Sequence, residues 1–425
     1  MGDTVVDTRL TWAECHDLGI YAASIGKSDL ANRLYERALT ETVDGREILG
    51  TMAAQAVLKL ATRADLDWCV SVLRNRAELD PGQINHWINL ATAYIKVPAP
   101  LKALDAAVEG FKLDNHNADV LQSLATCHGM LGNIREEIQF AWLAADVDPS
   151  RRWQHAMVNM KVSKDFPTFA KHYAGRKKPL GPEILKPIDI SKPGTVLICM
   201  EQGLGDLIMI GSVMKGMAAR RFELFLYTTE KACADIGRMM WPFLKVVEQP
   251  TKAGSYDCVV NLMDLLEFVG SPMLYWDHNS LSPWISSEGF PPEVPKHFVD
   301  DKVGVNFTGN PKYEYEYCRG IYDERIRGLI LDSCNSVDLK DYRGGTMDEF
   351  KSVMSRLKGV ITTDTMTAHL AGAMGIPCLV LLAKNHDWRW YHKWYGSHLK
   401  TATQSDIGNW DSVLPDVDKF VKEIA

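Results

Sequence analysis

The sequence predicts two architectures in series: an all-α helical repeat in the first third, and an α/β half of alternating strands and helices behind it. Three observations carry this reading. Small and large apolar residues recur on a period of 34 as far as Pro149. From residue 193 onward, short β-branched runs alternate with helical patterns, which implies parallel sheets covered on both faces. The chain has 425 residues, more than one ordinary core accommodates, so two or three domains are expected.

The repeat is legible in its spacing. Pro81 and Pro149 stand two periods apart, with Asn115 midway. One template runs through Leu18, Gly19, Ala22, Gly26, Ala31, Tyr35 and Ala38. It returns at Trp87, Leu90, Ala91, Tyr94, Ala103 and Gly110, and again at Leu121, Leu124, Ala125, His128, Gly132, Ala141 and Ala144. The second copy, ending in RNRAELDPG, matches more weakly. Small residues where two helices cross, large ones between them and a closing proline resemble the tetratricopeptide repeat. One helix pair cannot bury its apolar stripe alone, whereas stacked pairs share a continuous core and leave a concave groove. That groove is read as the seat of a partner or acceptor, against a purely structural arm or a contact between copies of the chain. His86, His116 and His128 have no metal-ligand spacing and read as ordinary repeat positions.

Residues 1–150 are thus assigned to helical repeats. The stretch 151–192 contains GRKKPLGPEILKPIDISKPG, is rich in proline and reads as a linker, with Arg176, Lys177 and Lys178 as a solvated cluster. The first alternating set fills 193–295: strand TVLICM, a helix from Leu207, strand FELFLYT, a helix near 230–240, then strands KVVEQ and YDCVVNL. A pattern-poor stretch over 270–300 reads as a crossing. The second set fills 296–425: strand KVGVNFTG, a helix near 323–332, strand NSVDLKDY, a helix over 346–357, strand GVITTD, a helix over 366–375 and strand CLVLLA. Two such halves would meet in a cleft at the strand C-termini, where open α/β sheets bind ligands.

Composition narrows the class. Hydrophobic residues make up 46% and charged residues 24%, the balance of a globular protein, and no apolar run is long enough to span a bilayer. Met1–Leu10 has no apolar h-region and is not read as a secretory signal. The nine cysteines include no CxxC pair, which disfavours a zinc or thioredoxin-type site and fits a reducing compartment; a cytoplasmic location is expected. The formal charge of −7 disfavours nucleic acid as the main partner.

Two loops carry the chemistry. EQGLGD (201–206) joins a strand to a helix; Gly203 and Gly205 let a ligand approach the backbone, and free helix N–H groups favour negative charge. Ile208 stands where a dinucleotide fingerprint needs its third glycine. Asp206 is either an N-cap or a general base. In TTDTMTAHLAGAMGIP, the residues Thr363, Asp364, Thr365 and Thr367 gather hydroxyls and a carboxylate at a sheet edge, with His369 one turn into the helix. That set suits a diphosphate; the alternative is a capped helix with a packed histidine. Gly372 and Gly375 read as sites of close helix–sheet packing.

The second loop resembles the Asp-Thr-x-x-x-His-Leu-Ala-Gly-Ala-x-Gly-x-Pro motif of the heptosyltransferase-like family, glycosyltransferase family 9, and most of all its branch with tetratricopeptide repeats. EQGLGD, VGVNFTGNPKYEYEYCRGI (303–321) and DWRWYHKWYG (387–396) followed by Gln404 and Trp410 resemble that branch in the same order. Departures stand at Gly320, at the pair Asn306–Phe307 and at Gly396, and bear on the donor sugar more than on the fold. The resemblance implies a GT-B catalytic unit of two Rossmann-like domains, acceptor-side (193–295) and nucleotide-sugar-binding (296–425). It implies metal-independent transfer from a nucleotide-diphosphate sugar, which is a co-substrate rather than a cofactor, to a hydroxyl of a protein or glycan. Asp206 would be the general base, with Gln202 and Glu201 on the acceptor side. Lys312, Arg319, Asp364, Thr365, His369, Trp388 and Arg389 would hold the donor. For Trp388, Arg389 and Trp390, packing of the final helix is the alternative. The Asp-x-Asp triplets at Asp65, Asp146 and Asp416 lie away from the sheet-edge loops. Two further alternatives are a non-catalytic repeat adaptor and a transferase acting on modified nucleic acid.

Overall fold

The computed structural model describes residues 10–42, 44–62, 64–176, 184–240, 242–247, 255–269, 283–286, 299–311, 316–342 and 345–425. The chain divides into two compact units, Met1–Asp148 and Pro149–Ala425.

The first unit is all-helical, an array of helix hairpins. Its hairpins are α1 (Trp12–Ser24) with α2 (Ser28–Glu41), α3 (Arg46–Thr62) with α4 (Leu66–Leu79), α5 (Ile84–Lys96) with α6 (Pro100–Leu113), and α7 (Ala118–Met130) with α8 (Ile134–Val147). Each hairpin packs on the next, and Cys15, Ala31, Tyr35, Met52, Leu73, Ala91, Ala103 and Leu124 belong to one buried cluster. Small residues at the crossings are a steric requirement: a Cβ on Gly19 would sit 2.6 Å from the Tyr35 ring. The weak second copy has a physical cause. Helix α3 has 17 residues where α1, α5 and α7 each have 13, so an extra turn displaces the template.

The second unit begins with two helices that the linker reading of 151–192 did not foresee: α9 (Arg152–Ser163) and α10 (Phe166–Tyr173). Phe166, Phe169 and Tyr173 are buried in the main core of this unit, and Lys186 pairs antiparallel with Val259 at a sheet edge. Residues 151–176 and 184–192 are therefore built into the α/β unit; 177–183, with Lys177 and Lys178, lie outside the described residues. Arg176 is not solvated but 6% exposed.

The first sheet contains β1 (Thr195–Cys199), β2 (Glu223–Tyr227), β3 (Leu244–Val247) and β4 (Cys258–Asn261), all parallel in the order β3-β2-β1-β4. Helices α11 (Leu204–Ala219) and α12 (Lys231–Met239) connect them. The second sheet contains β5 (Val303–Asn306), β6 (Ser336–Asp338), β7 (Gly359–Thr363), β8 (Cys378–Leu382) and β9 (Leu399–Thr403), parallel in the order β6-β5-β7-β8-β9. Its helices are α13 (Glu316–Arg319), α14 (Glu324–Asp332), α15 (Met347–Ser355), α16 (Met366–Met374) and α17 (Leu414–Ile424). β1, β4, β5, β7 and β8 are apolar runs buried almost throughout, as strands covered on both faces must be.

Helix α11 packs on α16, which joins the two sheets into one core. The stretch 270–300 lies mostly outside the described residues, but Trp284 pins this junction. Its indole donates to the Ile208 carbonyl at 2.9 Å, its backbone N–H donates to Ala373 O at 3.0 Å, and its ring stacks on Tyr395.

Candidate active site at the C-terminal edges of the two sheets

Every loop that leaves a sheet toward α11, α12, α15 or α16 does so at strand C-termini, and these loops enclose one cavity of about 680 Å³. Gln202 and Gly203 come from the β1–α11 turn, Gly205 and Asp206 from the first turn of α11, and Glu230 is the N-cap of α12. Asn306 ends β5 and Thr308, Gly309 and Asn310 follow it, Thr346 precedes α15, Asp364, Thr365, Thr367 and His369 follow β7, and Asp387 and Arg389 follow β8. The two loops singled out in the sequence thus face one space, although they belong to different sheets.

The helix starts there differ from the sequence reading. Helix α11 begins at Leu204 with Gly203 as N-cap and no side-chain cap bond, so Asp206 is its third residue and caps nothing. Its carboxylate instead accepts a 2.7 Å hydrogen bond at Oδ1 from Nε of Arg389. Thr365 is the N-cap of α16 and also makes no side-chain cap bond. Its hydroxyl lies in a buried set, 2.9 Å from Asn306 Nδ2 and 3.1 Å from the Thr362 hydroxyl, which fixes the β5 and β7 ends against each other. By contrast, α15 closes its own N-terminus through a Thr346–Glu349 capping box. The uncapped N-termini of α11 and α16 leave N–H groups and positive helix ends at the cavity.

Cations and carboxylates alternate around this space. Arg319 donates through Nε to Glu316 at 2.6 Å and lies 3.8 Å from Asp364. Arg389 donates to both Asp206 and Asp387, each at 2.7 Å, and its guanidinium lies 4.8 Å from the Trp388 ring centre. Burial opposes the charge on Arg389, yet the Asp206 and Asp387 carboxylates hold its pKa well above the ordinary value. Burial likewise opposes the charge on Asp387, and Arg389 brings its pKa below the usual carboxylate range. His369 is 3% exposed, its Nδ1 is 2.7 Å from the Tyr395 hydroxyl, and its ring stacks on Trp390. Burial pushes its imidazole down to about 4, so it is neutral at pH 7. Among the described residues, no group of three or more His, Cys, Asp or Glu side chains is placed to hold a metal ion.

Three readings need correction. Glu201 does not line the cavity: its side chain is 3% exposed, pairs with Arg176 and accepts from Met263 N at 3.0 Å. Arg176 also reaches Asp264 at 3.4 Å, so this buried ion pair ties the end of α10 to the β1 and β4 loops. Trp388 is 1% exposed and packs on Phe169 and Tyr173 of α10, so it is a packing residue, but of α10 rather than of the final helix; Trp390 packs on His369. Gly372 does approach a ring closely, that of Tyr395, but Gly375 ends α16 with φ +75, the left-handed C-cap that favours glycine. Gly203 and Gly205 both line the cavity, and a Cβ on Gly205 would lie 2.8 Å from the His369 ring. Lys312 lies outside the described residues.

The sequence reading missed α9, α10, β9 and the Asp206–Arg389 contact. The β-branched threonines of LKTAT are the signal for β9, which has no apolar–polar alternation. No helix among the described residues is long and apolar enough to cross a membrane. All nine cysteines are free.

Comparison with family models finds none that matches this chain, and comparison with curated proteins finds no relative. Solved structures similar to part of it include MamA of Desulfovibrio magneticus RS-1, with 17% identity, 38% of this chain and 91% of that chain covered, and a TM-score of 0.33. MamA AMB-1 gives 19% identity, 34% and 78% coverage and 0.30. TTC0263, a thermophilic TPR protein in Thermus thermophilus, gives 18% identity, 39% and 89% coverage and 0.29.

Proposed function

We propose that the second unit is a glycosyltransferase of GT-B type, which moves a sugar from a nucleotide-diphosphate sugar to a hydroxyl acceptor. The observation that carries this reading is the cavity shared by two parallel sheets, with Asp206 on one side and Arg319, Asp364 and the α16 N-terminus on the other. The acceptor oxygen attacks the anomeric carbon, the bond to the diphosphate breaks, and the acceptor proton passes to Asp206. Charge on the departing diphosphate is met by Arg319, by the N–H groups that open α16 and, from the sequence, by Lys312. His369 is neutral and acts as a hydrogen-bonding wall rather than a cation. Gln202 lines the acceptor side, and the groove of the repeat unit is the candidate seat of a protein or glycan acceptor.

A panel of nucleoside diphosphates and their sugars, scored by thermal stabilisation, tests the donor, because a ligand that favours the native state raises its midpoint. At least one nucleotide should raise the midpoint, and its sugar should be transferred or slowly hydrolysed. Asp206→Asn should lose transfer and keep nucleotide binding. Loss of both together would remove Asp206 as the base, and indifference to the whole panel, with tight binding of a protein partner, would favour a repeat adaptor instead.

A further inference from the structure

Both arginines of the cavity already have carboxylate partners, and they are held unequally. Asp387 anchors Arg389 firmly: its Oδ1 accepts from Nη1 at 2.7 Å and also from the Arg389 backbone N–H at 3.1 Å, as the cap of the short turn Trp388–Tyr391. Asp206 holds Arg389 by one bond, Nε to Oδ1. Among the described residues, Nη2 of Arg389 makes no hydrogen bond, and Oδ2 of Asp206 accepts none. A phosphate takes a guanidinium best through two parallel N–H donors. With Nη1 committed to Asp387, the edge left for such a fork is Nε with Nη2, and Asp206 occupies half of it.

We propose that Asp206 and the diphosphate of the donor compete for the Nε edge of Arg389, so that donor binding displaces the Asp206 carboxylate and delivers it to the acceptor. This rests on the proposed transferase reading. In the free protein Arg389 neutralises Asp206, which is 7% exposed and would otherwise face the cavity as a bare charge. When the phosphate forks onto Nε and Nη2, the carboxylate loses its cation while the acceptor hydroxyl arrives as a hydrogen-bond donor. Asp387 and the Trp388 ring hold the guanidinium in place throughout. The base is thus masked by its own arginine until the donor is bound.

The test is calorimetric titration of the full chain with inorganic pyrophosphate and with ADP, UDP, GDP and CDP. Asp206→Asn should bind the best of these about tenfold more tightly than the unmodified chain, which corresponds to about 1.4 kcal/mol. Asp206→Ala should shift affinity in the same direction. In an Arg389→Met background the Asp206→Asn gain should vanish, and in Arg389→Lys, which keeps the charge but not the fork, it should shrink. Binding by the unmodified chain with no gain in Asp206→Asn overturns the proposal. So does a full gain in the Arg389→Met background, since that is mere relief of repulsion. Absence of binding in every form overturns the transferase reading and this inference with it.

Discussion

Gly205 of α11 lies so close to the His369 ring of α16 that a Cβ at position 205 would sit 2.8 Å from Cδ2. The ring cannot give way, since Tyr395 holds its Nδ1 and Trp390 stacks on its face. The second glycine of EQGLGD therefore sets the approach of the two sheets' helices. Gly205→Ala should destabilise the second unit by about 1–3 kcal/mol and depress nucleotide binding together with stability, as overpacking does. Denaturant unfolding checks this; an unchanged midpoint would show that the junction is slack.

The pH dependence of stability follows from His369. Its folded pKa, about 4, lies below its ordinary unfolded value, so between these values the unfolded chain binds a proton that the folded chain does not. Stability therefore falls as the pH drops through about 6.5 toward 4, and this contribution is flat above and below that window. His386 and His155, also depressed by burial, add in the same direction. Between pH 7 and pH 5, His369→Gln should lose about 2 kcal/mol less than the unmodified chain. Urea unfolding at the two pH values measures the difference.

Arg176→Met should be among the costliest substitutions outside the cavity. It strands Glu201, whose pKa burial already raises against the pull of Arg176, and the loss should be about 3–5 kcal/mol. Glu201→Gln keeps acceptors for Arg176 and Met263 N and should cost less. In folded Glu201→Gln protein, acceptor KM should be unchanged; a selective rise in KM would restore Glu201 to the acceptor side.

Trp388 separates packing from ligand stacking. Trp388→Ala removes a ring packed against Phe169 and Tyr173 and should cost about 3–5 kcal/mol. Trp388→Phe should keep nucleotide affinity near that of the unmodified chain. A large affinity loss in a stable Trp388→Phe protein would place the nucleotide base on this ring.

Periodic features are legible in the sequence; long-range pairings are not. The helix hairpins announce themselves because Gly19, Ala91, Ala103 and Ala125 recur where helices cross, and the extra turn of α3 blurs the second copy. Strands such as β1, β7 and β8 are apolar runs closed by glycine or by polar loops. Helices α9 and α10 escape because α10 has only eight residues and owes its place to tertiary contacts of Phe166, Phe169 and Tyr173 with the distant Trp388. At the cavity, residue types and loop positions indicate which side chains gather, but not how they pair. The cap alternative for Asp206 gives way to a contact with Arg389, 183 residues along the chain, and Arg176 leaves solvent for a buried partner on another element.

The central claim is that a nucleoside diphosphate binds where Arg319, Asp364 and the start of α16 meet. Calorimetric titration of the unmodified chain and of Arg319→Met with ADP, UDP, GDP and CDP addresses it most directly. At least one nucleotide should bind the unmodified chain, and Arg319→Met should weaken it about tenfold or more, the effect of losing one charge-assisted contact. Equal affinity in the two proteins, or no binding to either, would contradict the account.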